Sequence, residues 1–197
     1  MSKADKTREF IIEKSAPIFN RKGYAGTSLS DLIEATGLTK GSIYGNFENK
    51  DEVAVAVYQY NISALAKRLD DAMGDKKTAV DKLLAFTNYY RNGWKKMFER
   101  GGCPIQNASI EADDNLSCLK KHVQQSIKNW VARVAKVIVQ GQKNGEFKKS
   151  LDAQERAYAI ITQLEGGIML SKIMNNPELL FSALDRIDAF VENEMRK

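Results

Sequence analysis

Residues 27–50 read TSLSDLIEATGLTKGSIYGNFENK, and this stretch decides the fold. Leu29, Leu32 and Ile33 recur at i, i+3 and i+4, the spacing of one apolar helix face. A side-chain oxygen of Thr27 or Ser28 can accept an orphan backbone N–H where that helix starts. Gly37 tolerates the left-handed backbone that ends a helix. Leu38 then turns inward, and Thr39 is placed to cap a second helix through Lys40, Gly41, Ser42, Ile43 and Tyr44. Of this second helix only Ile43, with Phe47 beyond it, suits a core. Its outer face is small, basic and phenolic, which fits a DNA major groove better than bulk solvent. The stretch predicts a helix-turn-helix whose second helix is the reader.

The run Phe10 to Phe19, then Gly23-Tyr24, Thr27-Ser28, Ile33, Gly37, Lys40-Gly41-Ser42-Ile43-Tyr44, Phe47 and Asn49-Lys50 resembles the TetR family of bacterial transcriptional regulators. The match is close over residues 1–55; beyond them the helical layout and a few short patterns agree. The resemblance implies an all-α fold of nine helices. A DNA-binding domain would occupy residues 1–50, and a helical ligand-binding and dimerisation domain residues 51–197. It also implies a homodimer on a palindromic double-stranded operator, a repressor's role and release by a small molecule, with no cofactor. Gly45 departs from the pattern, since members often carry there a bulky aromatic or basic residue that meets DNA. Specificity would then lean on Asn46, Lys40 and DNA shape.

Composition narrows the alternatives. The 197 residues are 43% hydrophobic with three prolines, a balance that predicts a globular, helix-rich chain. The net charge is +5, and residues 1–50 carry eight Lys and Arg against six Asp and Glu. So mild an excess permits nucleic-acid binding without requiring it. Cys103 and Cys118 stand fifteen positions apart, which fits neither a zinc ligand set nor a CxxC pair. They read as buried, reduced thiols. The polar start MSKADKTREF lacks a signal-peptide pattern, and no apolar run approaches the ~20 residues of a membrane span. We expect a soluble cytoplasmic protein with no membrane partner.

His122 is the single histidine. No nucleophile elbow, phosphate loop or metal-ligand spacing accompanies it, so we expect no enzyme, no catalytic residue and no metal. A thiol redox sensor acting through Cys103 is the alternative regulator, because a thiol after Gly-Gly can be exposed and a nearby helix start can lower its pKa.

The rest of the chain reads as helices. Residues 4–22 carry Ile12, Ala16 and Phe19 as a stripe, widened by Ile11 and Ile18, with Pro17 expected to kink the helix or cost it a hydrogen bond. Lys3, Lys6 and Arg8 are placed to touch phosphates. Asn49 is a cap for a fourth helix to Met73, with Val53, Val57, Tyr60, Ala64 and Leu69 on one side. Further helices are expected over residues 78–99, 115–143, 152–174 and 177–195, with a short sixth helix after Cys103-Pro104.

The expected DNA-facing residues are Thr27, Ser28, Thr39, Lys40, Gly41, Ser42, Tyr44, Asn46 and Lys50. Hydroxyls and lysines can donate to phosphates, Gly41 admits close backbone approach, and Tyr44 can pack on sugar while bonding a phosphate. Phe86, Tyr90, Trp94, Phe98, Cys103, Asn107 and Trp130 form the candidate ligand pocket, apolar with a few polar groups. Tyr89 belongs to the same aromatic cluster, and plain core is the competing reading. The candidate dimer surface is the last two helices, with Gly166, Gly167, Leu170, Leu184 and Ile187. Mid-helix glycines cost stability, so they point to close approach of another backbone, in a partner or within the subunit.

Overall fold

Ser2, Ser28 and Thr39 each take extended backbone and turn a side-chain oxygen onto the N–H three residues ahead, of Asp5, Asp31 and Ser42. Each satisfies a donor that the first helical turn leaves open. In the computed structural model, which describes residues 2–114 and 116–197, these caps open α1 (Lys3–Lys22), α2 (Leu29–Thr36) and α3 (Lys40–Tyr44). There follow α4 (Lys50–Gly74), α5 (Ala79–Glu99), α6 (Pro104–Asp114), α7 (Ser117–Asn144), α8 (Ala153–Ile173) and α9 (Glu178–Ala189). A π-helical turn, Phe190–Met195, comes last. The fold is all-α, with nine α-helices among the described residues and one isolated bridge between Phe147 and Arg196. No helix among those residues is long and apolar enough to cross a membrane.

The chain gathers into two compact units, Met1–Leu65 with Arg100–Ser126, and Ala66–Glu99 with Ile127–Lys197. Helices α4 and α7 contribute residues to both.

In the first unit Ile11, Phe19, Tyr24, Leu32, Ile43, Phe47 and Val57 are buried. The Phe19 and Tyr24 rings lie 5.3 Å apart, and Tyr24 meets Tyr58 edge-on at 6.2 Å. The buried stripe of α1 is rotated from the expected one. Ile11 is fully buried while Ile12 and Ile18 are only half-buried. The stripe runs through Ser15, and a hydroxyl on the inner face hid its period. Pro17 faces solvent inside a continuous helix.

The same effect recurs in α4. Tyr60 is exposed and Ala64 half-buried, whereas Ala54, Tyr58, Leu65 and Leu69 are buried. Asn61 occupies that inner row and donates its amide to Ala16 O at 3.3 Å. A polar residue inside the row makes the apolar pattern point elsewhere.

In the second unit the Glu146 carboxylate accepts from the N–H groups of Ala79 and Val80, at 2.6 and 3.2 Å, closing the start of α5. Arg91 bonds Asp185 and Asp188 of α9, both at 2.8 Å, and Thr87 donates to Asp188 at 2.6 Å. Helices α8 and α9 pack on each other within the subunit. A Cβ on Gly167 would lie 2.6 Å from Ala183 Cβ, closer than side chains tolerate. Gly167, Leu184 and Ile187, taken above as dimer-surface residues, are therefore buried inside the subunit. Gly166 would meet nothing within 4 Å, and Leu170 is 49% exposed. These two stay on the outer face, together with Met169, Ile173 and Met174.

Candidate functional site

The reader is built from its turn. Gly37 sits at φ 68° and its N–H returns to Ile33 O at 2.8 Å, ending α2. Thr36 Oγ1 donates to Leu32 O and accepts the N–H of Leu38, so the turn's polar groups are satisfied. Thr39 then caps α3, accepting from Ser42 N–H at 3.2 Å. Within α3 only Ile43 is fully buried, and Phe47 anchors the chain just beyond it. Thr39, Lys40 and Gly41 are exposed, with Ser42 and Tyr44 half-exposed. One short helix thus presents a cation, a bare backbone, a hydroxyl and a phenol outward.

The flanking candidates divide. Ser28 is exposed and serves as the cap of α2, its hydroxyl shared with Asp31 at 2.9 Å. Thr27 is 0% exposed, and its hydroxyl donates to Gly23 O at 2.7 Å. Its side chain is spent on the α1–α2 turn. Asn46 donates its amide to Ser42 O at 2.8 Å, a contact internal to the reader. Lys50, half-buried at the start of α4, donates to Ala25 O at 3.0 Å. Asn49 is the α4 cap, accepting from Glu52 N–H at 2.9 Å.

Arg8 has a different task from the phosphate contact expected of it. Its guanidinium donates to Asn46 O at 2.5 Å and to Glu52 Oε1 at 2.7 Å, and covers the Phe47 ring. The N–H of Glu48 and then the Arg8 guanidinium hold the Glu52 carboxyl below its ordinary range. Lys3 and Lys6 remain exposed. Sequence reading missed this clamp because its partners lie 38 and 44 positions away. The contact of the Glu111 carboxylate, which accepts the N–H groups of Tyr24 and Ala25 at 2.9 and 2.6 Å, was missed for the same reason.

The candidate pocket residues do not form one group. In the second unit Phe86 and Trp130, ring centroids 6.4 Å apart, line a cavity with Leu69, Met73, Leu83, Arg133, Val134 and Val137. It measures about 10 Å³, room for roughly one water. Tyr90 is buried between Phe86 and Tyr89, at 5.4 and 5.1 Å. Trp94 and Phe98 form a separate cluster with Phe181. Cys103 and Asn107 belong to the first unit. There Asn107 donates its amide to Asn20 O and Gly101 O, both at 3.0 Å. The buried indole N–H of Trp130 has no hydrogen-bond partner among the described residues.

The cysteines are not disulfide-bonded. Cys103 is only 2% exposed. Burial first, and the charge of Asp51 second, push the Cys118 thiol up, away from the reactive thiolate. Among the described residues no group of three or more His, Cys, Asp or Glu is disposed to hold a metal.

Comparison with known proteins agrees with this geometry. Residues 11–57 match the family model described as bacterial regulatory proteins, tetR family. Residues 79–192 match a tetracyclin repressor-like C-terminal domain. The chain is 27% identical over 173 residues to the HTH-type transcriptional repressor DhaR of Mycobacterium sp. (strain GP1), covering 88% of this chain and 86% of that protein. A TetR-family regulator from Cytophaga hutchinsonii superposes with a TM-score of 0.95 at 38% identity, over 100% of this chain and 98% of that one. One from Chloroflexus aurantiacus gives 0.91 at 34% identity, over 100% and 99%.

Proposed function

The chain belongs to the TetR family of bacterial transcriptional regulators, and from that premise we propose that it is a homodimeric repressor, released from a palindromic operator by a small molecule. In this reading residues 1–50 recognise DNA, and residues 51–197 bind the ligand and form the dimer. The observation that carries it is the outward set Lys40, Gly41, Ser42 and Tyr44, on a capped helix pinned inside by Ile43. Such a helix presents donors and close backbone approach to a groove. One reader makes too few contacts for a specific site. Two-fold symmetry doubles them and sets half-sites about one helical turn apart, ~34–36 Å.

The dimer would block a promoter by occupying it. The relative named as a repressor supports that sign. The ligand would enter at the apolar lining around Phe86 and Trp130, where the indole N–H offers a donor, and would have to widen the small cavity to fit. Its binding free energy must favour one conformation of the subunit over the other, because equal affinity for both would release nothing. Helix α4, which supplies residues to both compact units, is the proposed carrier of that difference.

Fluorescence anisotropy with a duplex from upstream of the protein's own gene, in excess competitor DNA, tests the reading. Competitor-resistant binding that Tyr44→Ala abolishes is expected. Weak binding that competitor erases equally in both proteins would remove self-regulation, and a random-duplex selection that also failed would remove DNA as the target.

A further inference from the structure

We infer that Glu111 is a positioning residue for the DNA-reading head, because its carboxylate fixes the α1–α2 turn from the surface of α6. The inference rests on the DNA-binding reading above. Glu111 Oε1 accepts the N–H of Tyr24 at 2.9 Å, and Oε2 accepts the N–H of Ala25 at 2.6 Å. Two consecutive backbone donors converging on one carboxylate make a charge-assisted pair, stronger than neutral hydrogen bonds. Gly23 completes the seat. It stands at φ 84°, and a Cβ there would come within 2.7 Å of Glu111 Oε1. A side chain at that point would crowd the carboxylate where it now sits, and the left-handed backbone there favours glycine in its own right.

What this turn holds gives the contact its meaning. Thr27 donates to Gly23 O and Lys50 to Ala25 O, so the turn is gripped from the reader's side as well. Ser28, the cap of α2, follows it directly. One turn of helix before Glu111, Asn107 donates to Asn20 O and Gly101 O, and Asn20 donates to Arg100 O at 2.6 Å. Asn107 and Glu111 stand at i and i+4 on one face of α6, so a single helix holds both the end of α1 and the turn beyond it. A rotation or slide of α6 would withdraw both at once. The turn would then keep only the Thr27 and Lys50 contacts, and DNA binding would have to complete its ordering at a cost to affinity.

The sign of the charge effect makes the inference testable. Removing a carboxylate near DNA strengthens binding by simple electrostatics, whereas losing the latch weakens it. The probe is a duplex selected by the wild-type protein from a random-sequence pool. For Glu111→Gln we expect wild-type helix content and dimer mass, and faster hydrogen exchange at the Tyr24 and Ala25 amides. We also expect about tenfold weaker duplex binding, equivalent to ~1.4 kcal/mol. Asp113→Asn, the same charge change on the same helix, should leave exchange at the turn as it is and not weaken binding. Should Glu111→Gln lose helix, Glu111→Asp repeats the test with the charge kept and the reach shortened. Binding as tight as wild type, with unchanged amide exchange, overturns the inference alone. A wild-type protein that selects no duplex overturns the DNA-binding reading, and this inference with it.

Discussion

The guanidinium carbon of Arg8 lies 4.0 Å from the centroid of the Phe47 ring. The same group donates to Asn46 O and to Glu52 Oε1. One side chain of α1 thereby holds the residues after the reader and the first turn of α4. Only a planar fork can stack on a ring and donate in two directions together.

Arg8→Lys should therefore recover little of what Arg8→Ala loses. Lysine keeps the charge but cannot stack and fork at once. The stack alone contributes about 0.5–1 kcal/mol at a part-exposed site, a fall of roughly 1–4 °C in Tm for a chain of this size. Thermal unfolding and duplex anisotropy on both variants check it. Wild-type values for Arg8→Lys would reduce the contact to bare charge.

Lys40 and Thr27 should separate binding from stability. Lys40 is exposed on the reader, so Lys40→Gln removes one outward cation per subunit and two in the proposed dimer. If each meets a phosphate, the slope of log K against log salt becomes shallower by ~1.8. Thr27→Val acts in the opposite sense. It deletes the hydrogen bond to Gly23 O, costing about 1 kcal/mol of stability, and leaves the salt slope alone. Titrating duplex binding at four salt concentrations, beside urea unfolding, distinguishes the two.

Much of this was legible in the sequence because helix punctuation is local. Ser28, Thr39, Gly37 and Asn49 act on backbone groups within four residues, and each does in the structure what its type predicts. Faces were harder to read. Ser15 and Asn61 sit on inner faces, and a polar residue there rotates the apparent apolar stripe. Distant partners were not legible at all. Arg8 looked like a phosphate contact until Phe47 and Glu52 came beside it, and Glu111 met a turn 87 positions earlier in the chain. The pair Gly166-Gly167 shows the same limit. Adjacent glycines on one helix point about 100° apart, so one faces α9 and the other does not.

That divergence yields a prediction for α8. Gly167→Ala would force its new methyl against Ala183, and overpacking of this kind costs about 1–3 kcal/mol, offset by ~1 kcal/mol of helix propensity. Leu170→Glu lies on the outer face and should leave the subunit folded. In sedimentation it should shift the protein from dimer to monomer. Leu184→Glu, at a fully buried site, should unfold it instead. A Leu170→Glu protein that stayed fully dimeric would move the dimer surface away from the outer face of α8.

The cap of α2 carries a pH dependence of definite sign. The Lys22 ammonium at 2.6 Å, then the N–H and hydroxyl of Ser28, hold the Asp31 carboxyl down from 3.8 to about 2. A carboxyl whose folded pKa lies below its unfolded one stabilises the fold fully above the unfolded value. That contribution is lost as pH falls through the folded value. The window is therefore about pH 4 down to about pH 2. Asp31→Asn keeps an oxygen that can accept the Ser28 N–H but cannot ionise. Its stability deficit against wild type should be constant above about pH 4 and shrink towards zero near pH 2. Added salt should diminish the deficit, since the pair is solvent-exposed and screened. Urea unfolding of both proteins at steps through that window reads it directly. A deficit that stayed unchanged down to the lowest pH would show that geometry at the cap, and not the charge of Asp31, supports the start of α2.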